Sequence, residues 1–222
     1  MRPQREKLPA TEVAMLTSRF TDAIDYARVA HAAQTRKVSG IPYIYHLLGV
    51  ASIVIEFGGS ENQAIAALLH DVIEDCGDSH RESVRTRFGE EVAHIVEACT
   101  DGSAESKASH QDAASKRVDW TRRKLSYLDH LAKADPVVLL VSGSDKLHNA
   151  RAIVQDLEDP RVGIQVFDRF TGGREGTLGY YHSLAKIFAG QNVPIAGQLD
   201  VAVERMHQLA GSDERRPLQD RL

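Results

Sequence analysis

Apolar residues recur at three- and four-residue steps along most of this chain, and strict apolar/polar alternation is rare, so helices are predicted and strands are not. Val13, Leu16, Phe20, Ile24 and Ala27 form one apolar stripe on a first helix. Thr35 to Pro42 reads as a loop, with Gly40 and Pro42 as breakers. Tyr43 to Phe57 forms a second helix, stopped by Gly58-Gly59. Ser60 followed three residues later by Gln63 is a capping-box pattern. The AIAALLHDVIED run behind it is apolar nearly all round, as a helix at the centre of a bundle should be. Ser79 to Phe88 and the segment carrying Val92, Ile95, Val96 and Cys99 read as shorter helices separated by Gly89. Asp101 to Ser115 is small and polar and reads as an exposed loop, followed by a helix over Trp120 to Ala134. Pro136 suits the first turn of the next helix, which carries VVLLVSGSDKLHNARAIV, and Gly143 within it predicts a close contact. Thr171 to Gly179 is glycine-rich and reads as a second mobile loop. Helices over Leu178 to Ala189 and Ile195 to Ala210 close the chain before a charged tail. The expected fold is all-α: one helical-bundle domain over residues 1–222, with its core from about 12 to 210.

Composition narrows the partners. A chain of 222 residues can bury one good core, and 42% hydrophobic with 26% charged residues argues against wholesale disorder. A net charge of −4 gives no electrostatic basis for nucleic acid or an anionic membrane as the main partner. A small anionic substrate remains open, because a metal can reverse the field inside a pocket. The apolar run from Ala64 to Ile73 is too short to span a bilayer and is interrupted by His70 and Asp71. The N-terminus has basic residues but no apolar stretch behind them, so no secretory signal is expected. Cys76 and Cys99 form no CxxC pair, which fits a reducing cytoplasm.

The chemistry lies where buried helices carry ionisable groups. His70 and Asp71 end the AIAALL run, with Glu74 and Asp75 one turn further on, so all four can border one cavity. Burying such charges without a partner costs several kcal/mol or more, and a bound cation would offset it. His46, presented within PYIYHLL, is the best further ligand, and Asp145, which interrupts the VVLLVSGS helix, the best fourth. A lone histidine on an apolar helix is usually a packing residue, and a lone aspartate usually a solvated or capping one. His46 and Asp145 therefore gain weight only beside the His70-Asp71 pair. Two imidazoles and two carboxylates favour Mn²⁺, Fe²⁺ or Zn²⁺ over Mg²⁺, with open positions for water.

The order H…HD…D resembles the HD-domain phosphohydrolases. RKVSGIPYIYH, AIAALLHDVIED, FGEEVAHIVEACTD and DKLHNAR resemble the blocks of the alarmone hydrolases, comprising the Rel/SpoT hydrolase domain and the small free-standing enzymes. The likeness runs from about Phe20 to Arg151, with a weaker tail near Tyr180. It implies Mn²⁺-dependent removal of the 3′-pyrophosphate from guanosine tetra- and pentaphosphate, or from an adenosine analogue. His46, His70, Asp71 and Asp145 match the metal ligands, and Glu74 and Asp75 the acidic pair that positions or activates water. Arg36 and Lys37 match the cations facing the nucleotide, Asn149 a polar residue after the last ligand, and Tyr180 an aromatic beside the nucleotide. No segment resembles a synthetase domain, so hydrolysis without synthesis is expected.

Two departures stand out. Ser142 and Ser144 occupy places where the family commonly has lysine and alanine, and the interval from Asp71 to Asp145 carries additional residues near Ser103 to Ser115. Both are expected to reshape the pocket wall. They leave two alternatives open: an HD enzyme acting on another nucleotide or phosphate ester, and a catalytically idle module that binds a nucleotide.

Overall fold

The first apolar stripe folds into α1 (Ser18–Ala30), where the Thr17 side chain accepts from the Arg19 N–H. The structure is a computed structural model and describes residues 15–36, 40–100, 112–212 and 214–219, so Val13 of the predicted stripe lies outside it. The predicted second helix is α2 (Ile44–Glu56). At the start of α3 (Glu61–Leu69), the Ser60 hydroxyl accepts from Gln63 N–H while the Gln63 side chain accepts from Ser60 N–H. Such caps contribute about 1 kcal/mol each. Every residue from Gln63 to Leu69 is buried, as an all-round apolar segment requires.

That helix does not run on through Asp75 as the pattern predicts. It ends at Leu69, His70 and Asp71 form a turn, and α4 (Val72–Cys76) follows. The Ala67 carbonyl, which Asp71 N–H would take in an unbroken helix, lies 2.8 Å from His70 Nδ1. Asp71 relaxes to φ −97°, ψ −3°, the bridge region between helix and extended backbone.

α5 (His80–Phe88) and α6 (Glu90–Cys99) follow as expected on either side of Gly89. α7 (Ala113–Leu131) begins earlier than predicted, because Asp112 accepts from Ser115 N–H at 2.8 Å and so supplies a cap. The rest of the expected loop, 101–111, lies outside the described residues. α8 (Pro136–Glu158) opens on its proline, and a Cβ at Gly143 would come within 2.7 Å of Ile195 Cδ1, the close contact anticipated there.

The glycine-rich stretch expected to be a mobile loop is instead mostly helical. After a 3₁₀ turn over Gly163–Arg169, α9 (Gly173–Gly190) starts inside it. Its glycines serve packing: a Cβ at Gly172 would meet the Trp120 ring at 2.5 Å and one at Gly176 at 3.0 Å. α10 (Ala196–Leu209) completes the bundle, and the tail returns to α9 through Leu218 N–H donating to the Gly179 carbonyl at 3.1 Å.

α8 is the hub, packing against α2, α3, α6 and α10. Leu47, Ile65, Leu68, Leu69, Leu139 and Leu147 are fully buried around it, and truncating one such leucine to alanine costs about 2–5 kcal/mol. Because α2, α3 and α8 share this core, residues at their inner faces are held rigidly toward one another. Among the described residues no β-strand occurs beyond one isolated bridge, Thr35 with Pro42. None of their helices is long and apolar enough to cross a membrane, and both cysteines are free.

Candidate metal centre

His46 projects from α2, His70 and Asp71 from the break after α3, and Asp145 from α8. Adjacent residues on a continuous helix point about 100° apart, so the break is what allows His70 and Asp71 to face one point. Asp145 Oδ1 lies 3.2 Å from His46 Nε2 and 3.6 Å from His70 Nε2. Asp71 Oδ2 lies 3.0 Å from His70 Nε2 and 3.6 Å from His46 Nε2. His46, His70 and Asp145 are 0%, 2% and 6% exposed, and one ligand-type atom from each falls within 4.8 Å of the others. Both Nε2 atoms are buried without a hydrogen-bond partner. Buried polar groups are almost always satisfied, so two unsatisfied imidazole nitrogens facing two carboxylate oxygens fit a divalent cation.

The backs of the ligands are held too. His70 Nδ1–H donates to the Ala67 carbonyl, which leaves Nε2 as the lone-pair nitrogen. His46 Nδ1 lies 3.0 Å from His148 Nδ1. Burial, with His46 and Arg36 adding to it, pushes the His148 pKa down to about 4. A neutral His148 can accept from His46 Nδ1–H, again directing Nε2 inward. A Cβ at Gly49 would come within 2.2 Å of His148 Nε2, so that ring sits where only glycine leaves space. Tyr43 donates to Asp71 Oδ2 at 2.7 Å. Lys146 holds Asp145 Oδ2 at 2.6 Å and lies over the Tyr127 ring, 5.1 Å from its centroid.

Charge balance follows. Burial alone raises the Asp145 carboxyl, but Lys146 and the two histidines outweigh it and hold its pKa well below the usual range. Asp71 behaves alike: burial opposes ionisation, and His70 and His46 override it. For His70, burial disfavours the cation, yet Asp71 and Asp145 lift its pKa well above the ordinary histidine value. The corner is thus anionic enough to retain a proton, and a metal must displace that proton.

Around this corner lie the other residues singled out in the sequence. Both Nη atoms of Arg36 donate to Asn149 Oδ1 at 3.0 Å, and Asn149 Nδ2 donates to Asp145 Oδ1, so a single chain joins all three. Asp75 is exposed and accepts from Gln34 Nε2 at 2.8 Å, while Glu74 is half-buried. Lys37 lies outside the described residues. Tyr180 is buried against Trp120 and Tyr181, with Lys124 5.0 Å from its ring centroid. Tyr181, its neighbour, feels the Asp145 carboxylate, which adds to burial in raising its phenol, and Arg36, which opposes them. The hydroxyls of Ser142 and Ser144 are committed to Tyr127 and the Leu140 carbonyl, so these two substitutions are absorbed in the interior and do not reshape the pocket wall as expected. Sequence reasoning missed His148, although it lies three residues after Asp145 on the same helical face. It also missed Lys146, Tyr43, Gln34 and Tyr181, whose roles depend on contacts between elements.

The profile of the HD-domain family matches residues 23–178. A probable GTP pyrophosphokinase of Mycobacterium leprae is 38% identical over 131 residues, 59% of this chain and 15% of that protein. A guanosine-3′,5′-bis(diphosphate) 3′-pyrophosphohydrolase of Aquifex aeolicus is 37% identical over 143 residues, 64% of this chain and 19% of that one. The enzyme of the same name from Xenopus tropicalis is 35% identical over 133 residues, 59% of this chain and 66% of that one. The chain therefore spans less than a fifth of the two bacterial relatives and about two thirds of the Xenopus protein. Among solved structures, one described as a metazoan SpoT ortholog that hydrolyses ppGpp superimposes with a TM-score of 0.66 at 24% identity, covering 89% of this chain and 98% of that one. At that identity the likeness speaks for the fold.

Proposed function

This chain belongs to the HD-domain family, and from that premise we propose that it is a metal-dependent phosphohydrolase that removes the 3′-pyrophosphate of ppGpp or a closely related alarmone. The observation that carries the reading is the convergence of two unsatisfied imidazole nitrogens and two carboxylate oxygens in one buried corner. The names of the relatives from Aquifex aeolicus and Xenopus tropicalis supply the substrate class.

In this reading His46, His70, Asp71 and Asp145 hold the ion, and their mixed nitrogen and oxygen donors suit Mn²⁺. A divalent ion supplies Lewis-acid polarisation of a phosphate oxygen and makes water easier to deprotonate. Glu74 and Asp75, one turn beyond the His70-Asp71 pair, position the water and take up its proton. Water adds at the phosphorus bonded to the 3′-oxygen of the ribose, and the bond between them breaks. The proton passes to the acidic pair and from it to the departing 3′-oxygen, so pyrophosphate leaves and the 3′-hydroxyl is restored. Arg36 offers a guanidinium plane to the base, Lys37 a compact charge to a phosphate, and Asn149 fixes Arg36 relative to Asp145. Tyr180 or its neighbour Tyr181 lines the nucleotide side.

The test is a turnover screen with Mn²⁺ across ppGpp, ppApp and common nucleoside phosphates. Pyrophosphate release from ppGpp or ppApp is expected. Orthophosphate from other nucleotides alone would reassign the substrate, and binding without product would leave an idle nucleotide-binding module.

A further inference from the structure

Asp75 is an exposed carboxylate on α4, a helix of only five residues. A group that handles a reacting proton has to be held in place, and such a short element does not do that by itself. The hold comes from the turn between α1 and α2. Gln34 Nε2 lies 2.8 Å from Asp75 Oδ2, and Gln34 Oε1 lies 2.7 Å from His31 Nδ1. A carboxylate only accepts, so the amide must turn its NH₂ toward Asp75, and its oxygen then takes the His31 Nδ1–H. The direction of the whole chain is fixed by chemistry.

The far end of that chain is anchored. His31 is 4% exposed, its ring stacks on Tyr43 with centroids 5.3 Å apart at 26°, and Cys76 Sγ lies 3.5 Å from its Nδ1. Gln34 is pinned through its backbone, since its carbonyl accepts from Tyr43 N–H at 3.0 Å and the next residue, Thr35, bridges to Pro42. Tyr43 also donates to Asp71 Oδ2. One turn therefore reaches the acidic segment twice, through Tyr43 at Asp71 and through Gln34 at Asp75.

We propose that Gln34, oriented by His31, is a positioning residue that sets the Asp75 carboxylate for its reaction with water. This deepens the reading above and rests on the role it gives Asp75. An uncharged donor is what the task requires. A lysine or arginine would hold the carboxylate as firmly, but its charge would lower the basicity of Asp75. The amide engages Oδ2 and leaves Oδ1 to face the water.

Gln34→Ala is expected to lower turnover about tenfold, with KM, Mn²⁺ affinity by calorimetry and melting temperature unchanged. Gln34→Glu keeps the shape but sets a carboxylate against a carboxylate, and is expected to be at least as slow. In an Asp75→Ala background, Gln34→Ala should add no further loss, because its effect passes through Asp75. His31→Ala should slow the wild type but add nothing to Gln34→Ala. Crystal structures of the wild type and Gln34→Ala give a readout that needs no substrate: the Asp75 carboxylate should lose its fixed rotamer while His46, His70 and Asp145 stay in place. An unmoved Asp75, a wild-type rate in Gln34→Glu, or a full additional loss in the Asp75→Ala background overturns the proposal. A wild-type rate in Asp75→Ala itself overturns the role assigned to Asp75, and the Asp75 rotamer still decides whether Gln34 positions it.

Discussion

At its inner end the site is closed: His46, His70 and Asp145 are nearly inaccessible, and each is gripped from behind by a buried or largely buried partner. At its outer end Asp75 is exposed, Arg36 and Glu74 are half-buried, and the contacts run through the turn between α1 and α2. Electrostatic interactions strengthen where water is excluded, so the inner end suits holding an ion. In the proposed reaction the outer end admits and releases a nucleotide, which a fully packed shell would prevent. Mutations at the two ends should therefore fail differently, the inner ones in metal binding and stability, the outer ones in chemistry and capture.

The largest effects are expected inside. Asp145→Ala should abolish Mn²⁺ binding and turnover. It should also destabilise the fold by about 3–5 kcal/mol, because Lys146 is left as a largely buried charge without its partner. Thermal melting and calorimetry check this, and a variant that melts like the wild type would deny that the pair is structurally buried. Next come Glu74→Ala and Asp75→Ala, which should keep Mn²⁺ affinity and lose roughly 10²–10⁴-fold in kcat. Full activity in both would remove the outer acidic pair from the chemistry.

A smaller effect sharpens the boundary. His148 touches no ion but orients His46, so His148→Ala should weaken Mn²⁺ binding about 10- to 100-fold. Gly49→Ala drives a methyl into the same ring and should reproduce the defect from the other side. If titration calorimetry gives either variant wild-type affinity, the inner corner does not depend on that support. At the rim, Arg36→Ala should raise KM for ppGpp about 5- to 30-fold and leave a small phosphodiester without a base nearly unaffected. Equal losses on both substrates would move Arg36 into the metal support through Asn149.

The smallest signal is a proton. The raised His70 pKa means the metal-free corner holds a proton through neutral pH, so Mn²⁺ binding should release roughly one proton and weaken as pH falls. Weakly buffered titration with a pH indicator measures it, and Mn²⁺ binding with no proton released near pH 7 would contradict the protonated corner.

Helical periodicity and the cost of burying charge are local properties, so both could be read along the chain. The stripe through Phe20, Ile24 and Ala27, the Ser60–Gln63 cap and the apolar run to Leu69 each determined an element without reference to the rest. His70, Asp71 and Asp145 were conspicuous for the same reason, as ionisable residues interrupting segments that otherwise bury. The glycine-rich run from Thr171 misled because glycine signals either freedom or close packing, and only the Trp120 ring against Gly172 and Gly176 decides for packing. Tertiary structure alone decided that the helix breaks at His70, that His148 backs His46, that Tyr181 feels the Asp145 carboxylate, and that Gln34 reaches Asp75. Those contacts join residues on different elements, and their distances are set by how α2, α3 and α8 pack, which no spacing within a single element encodes.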